Sequence, residues 1–93
     1  MKRDYSTLRE LLSEEEKFPL QYLHKFIGKN SPVFLTGVKG LEAAFPKVKE
    51  QSRRESGAGA HVALTFSFEA ASADEVIQVL EATEVLPELV LVL

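Results

Sequence analysis

Ala60-His61-Val62-Ala63-Leu64-Thr65-Phe66-Ser67-Phe68-Glu69-Ala70 is the stretch that decides the fold. Its even positions are Ala60, Val62, Leu64, Phe66, Phe68 and Ala70; its odd positions are His61, Ala63, Thr65, Ser67 and Glu69. Side chains alternate across a strand, so this pattern offers one apolar face to a core and one mostly polar face to water or a partner. A strand buried on one side only belongs to an antiparallel or mixed sheet. The rest of the chain is then what pairs with this strand or covers it. The pattern specifies a small soluble α+β domain and carries no recognisable chemistry.

Working outward, Lys47 to Ser56 reads as polar throughout and leads through Gly57-Ala58-Gly59 into the organising strand. We expect an edge strand of a hairpin there, its charges discouraging sheet-to-sheet aggregation. Lys47, Lys49, Arg53 and Arg54 are partly balanced by Glu50 and Glu55, which reads as a solvated edge before it reads as a patch for an anion or acidic partner. Upstream, Gly28-Lys29-Asn30-Ser31-Pro32 is a strand-to-helix turn, with Ser31 as cap and Pro32 at the first helical position. The helix runs to about Phe45 with Phe34, Val38, Leu41 and Phe45 as its stripe, and Pro46 ends it. Leu20 to Ile27 is the first strand, with Tyr22, His24 and Phe26 on one face and Leu23, Lys25 and Ile27 on the other. His24 is read as a histidine near the core edge rather than as a ligand or base.

Beyond Ala70, Ser72 and Glu75 have capping-box spacing. Val76, Val79, Leu80 and Thr83 form one helical face, with Ile77 beside it. Val85 to Leu93 is nearly continuous in apolar character, and Pro87 moves the start of regular pairing toward Glu88. At the other end, Tyr5, Leu8, Leu11 and Leu12 mark a short amphipathic helix within residues 1–17, broken by Phe18-Pro19. It is too short to be stable alone and must lie on something or fray.

The expected order is an N-terminal helical extension (1–17) and then β-α-β-β-α-β over 18–93. That order folds as a ferredoxin-like sandwich, four antiparallel strands in spatial order 4-1-3-2 with two helices on one face. The uncovered face then carries Leu23, Lys25, Ile27, Ala63, Thr65, Val90 and Val92. Leu23, Ile27, Val90 and Val92 form an apolar strip too large to be left wholly to water, and they are the expected interface. Its cover is either the stripe Tyr5, Leu8, Leu11 and Leu12 or a partner, with a symmetric or heteromeric contact preferred because Phe18-Pro19 leaves few residues to fold the helix back.

Ninety-three residues make one domain able to bury a core unaided. The net charge of −3 weighs against nucleic acid, whose phosphates call for a basic footprint. With no cysteine there is no disulfide, thiolate metal site, iron–sulfur cluster or cysteine nucleophile. Met1 to Asp4 leads into a charged segment, so no signal peptide is expected, and no apolar run approaches the roughly 20 residues of a membrane span. The expectation is a cytoplasmic protein of bacterial type, without membrane, metal or cofactor.

Phe18-Pro19, Lys25-Phe26-Ile27-Gly28, Pro32, Ser56-Gly57-Ala58-Gly59 and the closing Val92-Leu93 occur in an order and spacing that resembles the YbeD-like family, small bacterial proteins of unassigned function. The resemblance covers about residues 18–93. It departs at Gly57, where the family has a second serine, at His61, where a tyrosine is common, and at Val90, where a basic residue can stand. The family's fold is similar to that of ACT domains, which regulate metabolic enzymes by binding amino acids. The resemblance therefore implies a non-catalytic regulatory module.

Three other activities of such a fold fail on the residues. The odd positions of the Ala60–Ala70 strand hold no aromatic on which to stack a base. A metal chaperone needs the cysteines that are absent. An acylphosphatase-like phosphate loop needs an arginine where Lys29 stands. His24 and His61 fall on opposite faces with no serine in a catalytic pattern beside them, so no enzyme is expected. Two readings remain. One is a sensor of a small metabolite such as an amino acid, bound at Gly28, Lys29, Asn30 and Ser31. The other is a protein-interaction adaptor using the uncovered sheet face, the last strand's edge or the N-terminal helix, as a homodimer or with another protein.

Overall fold

A computed structural model describes residues 4–15 and 17–93. Its elements are α1 (Ser6–Glu15), β1 (Leu20–Lys29), α2 (Pro32–Ala44), β2 (Lys49–Ser56), β3 (His61–Ala70), α3 (Ala73–Glu84) and β4 (Leu89–Val92). The strands form one antiparallel sheet in the order β2-β3-β1-β4, which read from the opposite edge runs β4-β1-β3-β2. The organising strand is β3, paired with β1 along its whole length from Leu20↔Ala70 to Lys29↔His61.

Alternation decides which side of the sheet is covered. Val62, Leu64, Phe66, Phe68 and Ala70 are all buried, and their β1 neighbours His24 and Phe26 join them. Phe34, Val38 and Leu41 of α2 and Ala73, Val76, Val79 and Leu80 of α3 close the core from the helix side. The Phe26 and Phe66 rings stack with centroids 5.6 Å apart, and Phe34 meets Phe26 edge-on at 6.1 Å, both favoured aromatic geometries. Both helix starts follow their cap residues: Ser31 Oγ accepts from the Phe34 N–H, and Ser72 Oγ from the Glu75 N–H.

Four expectations change. The stripe on α1 covers α3 and not the open sheet face: Leu12 is buried, Tyr5 and Leu8 pack against the core, and Arg9 Nε lies 2.9 Å from Asp74 Oδ1. Tyr5 and Arg9 face Ile77 and Glu81, so Ile77 is buried although it flanks the main face of α3. Leu11 points away and is 53% exposed. Next, Val48 is 2% exposed and belongs to the core, so the segment before β2 is not polar throughout. His24 lies inside the core at 1% exposure, not at its edge.

The fourth change concerns β4. Phe26 pairs with Val92 and Ile27 with Leu91, but Gly28 pairs with Leu89, so Val90 is one extra residue opposite two consecutive positions of β1. Such a bulge resets the alternation. Leu89 and Val92 therefore turn to the core while Val90 and Leu91 both face outward. Val92 is not part of the outward strip, and Leu91 takes its place.

Candidate functional site

Residues opposite each other in an antiparallel pair share a face of the sheet. On the side away from the helices, β1, β3 and β2 thus make four cross-strand rows: Leu23-Ser67-Lys49, Lys25-Thr65-Ser52, Ile27-Ala63-Arg54 and Lys29-His61-Ser56. The β3 column holds the small side chains Ser67, Thr65 and Ala63 between Leu23, Lys25 and Ile27 of β1 and Lys49, Ser52 and Arg54 of β2. The result is a shallow trough of about 360 Å³ lined by Lys25, Ser52, Arg53, Arg54, Ala63 and Thr65. The apolar strip starts on β1, where Leu23 and Ile27 alternate with Lys25 and Lys29, and continues onto β4. Leu23 is 60% exposed, Val90 54% and Leu91 43%, with Ile27 half-buried between them. Among the described residues no other element covers this strip.

The charge on this face opposes that of the molecule. Lys25, Lys29, Lys49 and Arg54 stand on it, against Glu69 as its carboxylate, while the chain carries a net −3. Among the described residues none of these four cations is in an ion pair. Ion pairs among the described residues include Arg9–Asp74, Lys47–Glu75 and Arg53–Glu50, which tie down cations elsewhere. Arg53 sits opposite Leu64, on the helix side of β2, where the Glu50 carboxylate holds it and raises its pKa.

Gly28 to Ser31, expected as a turn that binds a metabolite, is instead the end of β1 (Gly28 and Lys29) running into the cap of α2, and the Asn30 and Ser31 side chains bond within the chain. A Cβ on Gly28 would run into the Phe34 ring, so the glycine is required by packing. The Asn30 amide donates to Glu55 Oε1 at 2.7 Å and to the Gly59 carbonyl at 2.9 Å, and its backbone N–H to the Ala60 carbonyl. Ser31 Oγ donates to Glu88 Oε1 at 2.9 Å while capping α2. The Lys29 N–H donates to the Glu88 carbonyl, and the Lys29 side chain is exposed. The arrangement is a clasp joining the β2–β3 hairpin, the α2 start and the α3–β4 loop.

His24 Nε2 lies 2.8 Å from Thr83 Oγ1, and Thr83 Oγ1 donates to the Val79 carbonyl at 2.8 Å. The hydroxyl proton is thus committed, so Nε2 carries the ring proton and donates, while buried Nδ1 meets no partner. Burial pulls the His24 pKa down to about 4, and the ring is neutral at physiological pH. Among the described residues no three His, Asp or Glu side chains cluster as a metal site, and no helix is long and apolar enough to cross a membrane.

Leu91 is the outward residue that sequence reasoning missed. Within an unbroken apolar run such as Leu89 to Leu93 nothing marks a bulge, so alternation alone selects the wrong residue. Comparison with curated proteins and with solved structures finds no match. A family model described as "Protein of unknown function (DUF493)" matches residues 13–93, taking in all four strands, α2 and α3. The chain belongs to this family.

Proposed function

We propose that the chain is a non-catalytic module that works by docking another protein on its uncovered sheet face. The observation that carries this reading is the apolar strip Leu23, Ile27, Val90 and Leu91, left open although the chain's own amphipathic helix α1 packs elsewhere. An exposed apolar strip rimmed by polar side chains is the usual mark of an interaction surface. The ferredoxin-like arrangement, the YbeD-like resemblance and a cytoplasmic setting in a bacterial cell belong to the same reading. Metabolite sensing by analogy with ACT domains is less favoured, because the groups of Asn30 and Ser31 that would meet a ligand bond within the chain.

The test is a photo-cross-linking residue placed at Thr65 on the open face, compared with one at Gln78 on α3, each incubated in lysate of the source cells. A protein adduct specific to Thr65 is expected. Absence of any adduct there, with the fold intact by circular dichroism, would sink the docking reading.

A further inference from the structure

Resting on that docking reading, we infer that the partner presents an acidic, amphipathic segment to the open face. Lys25 and Arg54 stand on adjacent rows across the Ala63–Thr65 trough, with Lys49 and Lys29 on the rows to either side. None of the four has an intramolecular counter-ion among the described residues, so each is available to a carboxylate. Lys25 and Lys29 alternate with Leu23 and Ile27 along β1, Lys49 and Arg54 stand across the trough on β2, and Val90 and Leu91 extend the apolar strip onto β4. The face thus grades from apolar at β4 to cationic at β2, and a segment with apolar residues toward β4 and carboxylates toward β2 matches it. Charge complementarity of this kind selects the partner and speeds encounter more than it sets raw affinity.

A second copy of the same face fits poorly. Two-fold pairing would set Lys25, Lys29, Lys49 and Arg54 against the same cations of the other molecule, with Glu69 as the carboxylate each copy brings. Nucleic acid would satisfy the cations but not the rest. The odd positions of β1 and β3 hold no Phe, Tyr or Trp on which successive bases would stack, only the His61 imidazole at one end, and phosphates gain nothing from Leu23, Ile27 and Leu91.

The probes are short fluorescent peptides with leucines at amphipathic-helix spacing, the remaining positions all glutamate, all glutamine or all lysine, and an oligothymidylate strand. The full chain should bind the glutamate peptide about tenfold more tightly than the glutamine one and bind the lysine peptide least. The Lys25→Glu/Arg54→Glu variant should reverse the preference between the acidic and basic peptides. Both positions are exposed, so its thermal melt should match the parent's. Leu23→Ser should weaken the glutamate and glutamine peptides alike. The glutamate peptide should also suppress the Thr65 adduct. Equal binding of the glutamate and glutamine peptides, or tighter binding of oligothymidylate than of the glutamate peptide, would overturn the acidic partner. A persisting Thr65 adduct in that case would leave the docking reading standing.

Discussion

Phe66 and Thr65 are neighbours in the chain and opposites in environment. Phe66 is fully buried and stacked on Phe26, whereas Thr65 lines the open trough. Phe66→Ala should cost about 3–5 kcal/mol and Thr65→Ala less than about 1 kcal/mol, ranked by denaturant melts. His24 makes a second residue-scale prediction. Its folded pKa of about 4 lies below the ordinary 6.5, so the unfolded chain binds the extra proton first. The contribution of the neutral ring is complete above about pH 6.5 and is lost as pH falls toward 4, about 3 kcal/mol in all at 1.36 kcal/mol per pH unit. Between pH 6.5 and 5, above most carboxylate titration, His24→Phe should flatten the fall in stability. An unchanged slope in that variant would assign the acid sensitivity to other groups. The face of His24 was legible from the Tyr22-His24-Phe26 alternation. Its depth was not, because that depends on Thr83, 59 residues away in the chain, supplying a partner inside the core.

At the scale of elements, the sequence carried strand and helix identity well wherever period and cap agreed. The β3 alternation, the α2 stripe behind Ser31-Pro32 and the α3 stripe behind Ser72 each point to one answer at two levels. It carried placement less well. Amphipathic α1 states that it must dock but not where, and Val48 is a single apolar residue in a polar segment, without a period to flag it. The open face was legible as a surface but was misread at β4, since a bulge is a register event between two strands and leaves no mark in one. The α1 placement is tested by Leu12→Glu, which buries a charge against α3 and should free the helix at a cost of about 2–3 kcal/mol. Amide exchange should then rise in α1 and around Ile77, with β1 and β3 protected as before. Faster exchange on the open face instead would mean that α1 belongs there.

For the whole molecule, the consequence is a charge polarity that governs self-association. The helices carry Glu42, Asp74, Glu75, Glu81 and Glu84, while the open face carries four cations, none paired among the described residues, beside an apolar strip. Two such faces attract through Leu23, Ile27, Val90 and Leu91 and repel through Lys25, Lys29, Lys49 and Arg54, and salt acts on the second term alone. Raising ionic strength from 0.1 M to 1 M shortens the screening length from about 10 Å to about 3 Å. Sedimentation should therefore find monomer at 0.1 M salt and a shift toward dimer at 1 M. Lys25→Ser/Arg54→Ser should bring the dimer on at lower salt, and Val90→Lys should abolish it by placing a further cation beside the strip. A dimer that is strongest at low salt and melts as salt is added would mean the opposite balance, with unlike charges meeting across the contact and the acidic helices, not a partner protein, as the ligand of the open face.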